Sequence, residues 1–139
     1  MNQDQLKLLL ETSGALLSGH FLLTSGRHSD RYIEKFRVLE NPEALDRVCE
    51  AMAAPFIDEK IDIVLGAAIG GILLAGGVGR HLNKRHIFTE RVDGIMKLRR
   101  GFYLEEGNRV LIVEDVITTG GSVFELVEGA REHKTEKVG

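Results

Sequence analysis

The chain alternates short apolar runs with stretches whose apolar residues recur at helical spacing. Leu6, Leu9 and Leu10 share one face and predict a helix from Gln3 to about Ser13. His20 to Phe36 predicts a hairpin: apolar FLLT, turn-forming SGRHSD, then RYIEKF, whose Tyr32, Glu34 and Phe36 share one face. Asn41-Pro42 is a helix start, with Asn as cap and Pro at the first position. That helix buries Leu45, Val48, Cys49 and Met52, and Pro55 ends or kinks it. IDIVLG (61–66) is a short apolar strand, followed by the small residues AAIGG and a helix from about Gly71 to Leu82. HIFTE (86–90) is another strand, whereas RVDGIMKLRRG (91–101) shows no stable period and predicts a mobile loop. GFYL and RVLIVE flank the turn EEGN as two more strands; a last helix runs from Gly121 to about His133, and Glu136 to Gly139 enters a further strand.

Strands alternating with helices imply an α/β fold around a mostly parallel sheet, in which ligands bind at the carboxyl ends of strands. Two glycine-rich loops, 66–71 and 118–121, each join a strand to a helix and belong on that edge. At 139 residues the chain is one domain able to bury a core. A strand–helix unit normally returns to its sheet, so an ending at the start of a strand predicts a truncated domain.

Composition excludes more than it identifies. Net charge is −3, yet basic residues outnumber Glu90 and Asp93 between Arg80 and Arg100, a balance suited to a small anionic ligand rather than nucleic acid. The single Cys49 permits neither an internal disulfide nor a cysteine metal cluster, and it is read as an inert core residue. The five histidines show no metal-ligand spacing. No run reaches membrane-spanning length and the N-terminus does not read as a signal peptide, so a cytoplasmic protein is expected.

The candidate chemistry lies in VLIVEDVITTGGSV (110–123), where an apolar strand runs into Glu114 and Asp115, then Val116, Ile117, Thr118, Thr119, Gly120, Gly121 and Ser122. Free amides at a helix start, glycines that admit close approach and three hydroxyls suit a phosphate. Carboxylates beside that phosphate repel it, so they need sugar hydroxyls, Mg²⁺ or a transition state that becomes positive. A ribose 5-phosphate meets these demands. Two plainer readings stay open on spacing alone: a helix cap with its turn, or an acid-terminated strand of an NTPase. The G-x-x-x-x-G-K-[ST] and G-x-G-x-x-G patterns that would favour nucleotide hydrolysis or dinucleotide binding are absent. GAAIGG (66–71) serves either tight packing or a second anion, and the basic run 91–100 either a solvated surface or a cationic lid.

The stretch EDVITTGGS after an apolar strand resembles the phosphoribosyl-pyrophosphate (PRPP) motif of the type I phosphoribosyltransferases. GALLSGHFLLTSGRHSDRYIEKF, GAAIGG, FTER and LRRGF narrow the resemblance to the orotate phosphoribosyltransferase family, over nearly the whole chain from about Leu6. It implies the type I fold, with a helix-hairpin hood over about 1–40, a core over about 41–139, and the last part of the sheet missing. The implied reaction transfers ribose 5-phosphate from PRPP to N1 of orotate, with Mg²⁺ held mainly by PRPP near Asp115 and no direct protein ligand. The resemblance makes Glu114 and Asp115 ribose partners, Thr118 to Ser122 a phosphate cradle, and Ala68, Ile69, Gly70 and Gly71 a pyrophosphate loop. Thr118 and Tyr32 fall at orotate-contacting positions, and Arg91, Lys97 and Arg99 in a lid shared across a homodimer. Departures from the pattern are Gly70 where many members carry lysine, Thr24 where Lys or Arg is common, and a lid without R-K-x-x-K-x-H. Three glycines (Gly76, Gly77, Gly79) also sit inside a predicted helix. Rival expectations are a PRPP-binding regulator of the same fold, an inactive truncated remnant and a purine-specific transferase.

Overall fold

The computed structural model describes residues 1–22, 26–115, 121–132 and 136–137. Thr24 and Val116 to Gly120 lie outside the described residues. Two compact units divide the chain, Met1–Val48 and Cys49–Gly139.

In the first unit, α1 (Gln3–Thr12) begins with a reciprocal cap. Asn2 Oδ1 accepts the Gln5 N–H at 2.8 Å, and Gln5 Oε1 accepts the Asn2 N–H at 2.9 Å. β1 (Leu16–Leu22) and β2 (His28–Ile33) form the expected hairpin, irregular between Ser18 and Phe21. The strand stops short of the predicted Phe36, because the Glu34 carboxylate accepts the Phe36 N–H and starts the short helix α2 (Lys35–Leu39). The unit continues past residue 40, since Ala44 and Val48 of α3 (Pro42–Ala53) join Leu9, Ala15 and Val38 in one cluster. Asn41 caps α3 through the Ala44 N–H at 3.0 Å, and Pro55 sits in the 3₁₀ turn Ala54–Phe56 that follows it.

In the second unit, β3 (Ile63–Ala67), β4 (Arg85–Val92), β5 (Ile95–Leu98), β6 (Arg109–Val113) and β7 (Glu136–Lys137) form one sheet in the order β5-β4-β3-β6-β7. Only β5 is antiparallel to its neighbour. Every residue of β3 is buried, as a central parallel strand covered on both faces must be. Ile63, Leu65 and Ala67 pack with Ile87, Val110, Leu126 and Ala130, the last two from α5 (Gly121–Glu132). Gly66, on the opposite face, meets α4 (Gly70–Leu82), where a β-carbon would collide with Gly71 O and come within 2.9 Å of Ala75 Cβ.

Two expectations are corrected. Residues 91–101 are not a loop throughout: β4 runs through Val92, turns at Asp93-Gly94 and returns as β5. Asp93 at φ 53° and Gly94 at φ 79° give the paired left-handed conformations of a tight hairpin turn, for which Asp-Gly is a favoured pair. Phe102 to Leu104 form no strand, since β5 already holds the edge beside β4. Leu104 is instead buried in the core, and Phe102 meets Phe88 edge-on with centroids 5.0 Å apart.

The glycines inside α4 also find their reason. A β-carbon at Gly77 would strike Cys49 Sγ and lie 2.8 Å from its Cβ, and one at Gly79 would lie 2.8 Å from His86 Cβ. Close approach of α3 and β4 to α4 outweighs the loss of helix propensity, up to ~1 kcal/mol per glycine. Gly77→Ala should therefore destabilise the protein by about 1–3 kcal/mol despite its better propensity, as overpacking does. Urea unfolding measures this, and Cys49→Ala should restore part of the loss; a stabilised Gly77→Ala would contradict the packing.

Candidate functional site

β3 and β6 lie side by side and parallel, with Gly66 opposite Val113, so the loops leaving their carboxyl ends start together. From β3 the chain passes Ala68 and Ile69 into α4; the Ala68 N–H donates to Thr89 O of β4 at 2.8 Å, and the Ala68–Ile69 peptide is cis. From β6 it passes Glu114 and Asp115, both half-buried, and Glu114 Oε1 accepts the Asp115 N–H at 2.9 Å.

The two loops touch at one point. Asp115 packs on Gly70 so closely that a β-carbon there would fall on Oδ2 and lie 2.8 Å from Cγ. Any side chain at position 70 must displace this carboxylate. The structure thus brings Asp115, next to Glu114, against Gly70 of the 68–71 loop. Gly121 and Ser122 open α5, and Val116 to Gly120, including Thr118 and Thr119, lie outside the described residues. Tyr32 belongs to the Met1–Val48 unit, on β2, 43 % exposed with its ring 5.6 Å from Phe21.

The hairpin separates the cations expected to act together. Arg91 pairs with Met96 and Glu90 with Lys97 across β4 and β5, so Arg91 and Lys97 point from opposite faces. On its face, Arg91 grips Glu125 of α5 with two hydrogen bonds, Nη1 to Oε2 at 3.1 Å and Nη2 to Oε1 at 2.9 Å. Nη1 also donates to Gly94 O at 2.9 Å. On the opposite face, Arg100 grips Glu90 at 2.8 and 2.9 Å, while Lys97 is exposed and makes no ion pair among the described residues. The hydrogen bond from Arg91, then its charge, holds the Glu125 carboxyl below the ordinary carboxylate range. Glu90 is lowered chiefly by its hydrogen bond from Arg100.

Two residues of this region were missed by pattern reading. Glu125 stands far along the chain from Arg91 on a helix whose polar positions look solvated, so only packing reveals the pair. Thr89 is buried, its hydroxyl 3.5 Å from Gly66 O, and strand alternation could have flagged it as polar on a covered face. A cavity of about 290 Å³ between the sheet and α5, lined by Leu65, Met96, Leu98 and Leu126, includes neither carboxyl-end loop. No cluster of three metal-ligating side chains occurs among the described residues. Two adjacent carboxylates fit a cation whose ligands come mainly from a bound substrate.

The sequence and fold match a known family. The phosphoribosyl transferase domain model matches residues 37–139. Orotate phosphoribosyltransferase of Caldicellulosiruptor bescii is 50% identical over 138 residues, covering 99% of this chain and 73% of that protein. The chain belongs to the orotate phosphoribosyltransferase family. The enzyme of that name from Pelotomaculum thermopropionicum is 49% identical over 132 residues, 95% of this chain and 70% of its own length. Among solved structures, orotate phosphoribosyltransferase from Aeropyrum pernix superposes with a TM-score of 0.77 at 27% identity, over 95% of this chain and 76% of that one. The type I phosphoribosyltransferase fold expected from the motif is the fold observed.

The lowered Glu125 carboxyl makes a pH prediction. A depressed folded-state value means stability that is present above the ordinary carboxylate range and lost as pH falls through the folded value. The difference in melting temperature between wild type and Glu125→Gln should therefore be largest near neutrality and vanish in strong acid. Thermal scans from pH 3 to pH 7 measure it; a difference that grows on acidification would refute the pair.

Proposed function

We propose that the chain transfers ribose 5-phosphate from PRPP to N1 of orotate, forming orotidine 5′-monophosphate and releasing pyrophosphate, a step of pyrimidine nucleotide biosynthesis. The observation that carries this reading is the contact of Asp115 with Gly70, which brings one of two adjacent acids against the candidate pyrophosphate loop.

As the bond from the ribose C1 to pyrophosphate breaks, positive charge develops on the sugar. Glu114 and Asp115 hold the ribose hydroxyls and place negative charge near that centre, a contribution that grows in the transition state. Ala68 and Ile69, the exposed part of the candidate loop, present backbone to the leaving pyrophosphate, while Gly70 and Gly71 are buried against Asp115 and Gly66. The 118–122 loop takes the 5′-phosphate at the start of α5, where helix amides favour an anion. Mg²⁺ held mainly by PRPP, near Asp115, would supply positive charge to offset that of the departing pyrophosphate. Arg91 supplies a fixed cation on one face of the β4–β5 hairpin. Lys97, on the other face, is free to serve a second site, which supports a homodimer whose hairpin is shared between subunits. The cytoplasm is the compartment where such substrates and a single cysteine, which can form no internal disulfide, fit. A regulator of the same fold is not favoured, since the relatives that match over most of their length carry the enzyme's name.

Incubating the chain with PRPP, orotate and Mg²⁺ should consume orotate's near-ultraviolet absorbance, and chelation by EDTA should stop it. Asp115→Asn should lower kcat/KM on the order of 100-fold, the scale of removing one transition-state contact. Turnover of adenine in place of orotate would refute the base assignment, and turnover unaffected by Asp115→Asn would refute the site. Sedimentation showing only monomer at working concentration would remove the shared hairpin.

A further inference from the structure

We propose that Glu125 is a positioning residue, holding Arg91 so that one two-donor edge of its guanidinium faces the pyrophosphate group of PRPP. The proposal rests on the reading that this site binds PRPP.

A guanidinium has five N–H donors in a rigid plane. In this structure Nη1 spends both of its donors, on Gly94 O and on Glu125 Oε2, and Nη2 spends one on Glu125 Oε1. The edge formed by Nε–H and the second Nη2–H makes no hydrogen bond among the described residues. Two parallel donors on such an edge match two oxygens of a phosphate. The side chain as a whole is 46% exposed, so solvent and solutes reach the guanidinium group.

The placement fits. Ala67 of β3 is level with Thr89 of β4, so Arg91 stands beyond the carboxyl end of β3, along the strand whose Thr89 O holds the Ala68 N–H. Glu125 lies shortly after the start of α5, the helix that follows the candidate phosphate loop. The Arg91–Glu125 pair therefore spans from the pyrophosphate-loop side of the sheet to the phosphate-loop helix. An arginine fixed in this way loses little side-chain freedom when an anion arrives, whereas an unrestrained one must be ordered at that moment.

Charge and position act in opposite directions here, which makes the sign of one substitution decisive. Glu125→Gln removes a negative charge beside the proposed anion, and charge alone would tighten binding. Loss of the orienting pair would loosen it. Calorimetric titration of Mg²⁺-pyrophosphate into wild type, Glu125→Gln, Arg91→Ala and the double variant separates the two, alongside KM values for PRPP and orotate. We expect Glu125→Gln to bind pyrophosphate roughly tenfold more weakly, the scale of one charge-assisted contact. The KM for PRPP should rise with it, the KM for orotate should stay unchanged, and the substitution should add nothing in the Arg91→Ala background. Arg91→Lys, which keeps the charge but not the planar edge, should weaken pyrophosphate binding too and serves if Glu125→Gln fails to fold. Unchanged or tighter binding in Glu125→Gln, or in Arg91→Lys where that variant stands in, overturns the proposal, as does an effect of Glu125→Gln that survives without Arg91. A folded wild type that binds neither pyrophosphate nor PRPP overturns the reading of the site itself, and this proposal with it.

Discussion

The parallel pairing of β3 with β6 is the constraint on which the site depends. It sets Gly66 level with Val113, so the two loops that carry the candidate chemistry leave the sheet side by side. The pairing is then sealed by contacts that tolerate no side chain. Gly66 lies under the backbone of Gly71, and Gly70 lies under the carboxylate of Asp115. Asp115 and the loop at Gly70 meet at a point where no β-carbon stands between them.

The β4–β5 hairpin imposes a second constraint of a different kind. A basic run reads in sequence as a pool of positive charge, but a strand directs successive side chains to opposite faces. Arg91 is committed to Glu125 on one face and Arg100 to Glu90 on the other. Pairs as exposed as Arg91 with Glu125, 46% and 41%, contribute little to stability on their own because water screens them. Their consequence is geometric: each fixes the direction of a guanidinium and, with it, which N–H donors remain for a ligand.

Helix α4 shows how packing overrides local preference. Gly76, Gly77 and Gly79 weaken a helix in isolation, and the sequence offers no compensation nearby. In the fold, Cys49 occupies the space at Gly77 and His86 the space at Gly79, and Gly66 with Ala75 closes the helix onto β3. The lone cysteine thereby acquires a packing role that its chemistry would not suggest.

The sequence by itself determined the α/β class, the cap at Asn41, the central apolar strands and the acid pair ahead of a glycine-rich loop. Each is written locally, in residue type and period, because helix caps and strand alternation involve neighbours along the chain. The Asp93-Gly94 turn is equally local, yet residues 91–101 read as a mobile loop because the apolar and charged residues around it show no stable period. Only the tertiary structure decided that Gly70 excludes a side chain because of Asp115, that Arg91 and Lys97 diverge, and that Glu125 holds Arg91. Those facts join residues far apart in sequence, and a contact made across a sheet or between helix and strand leaves no trace in the order of residues along either one.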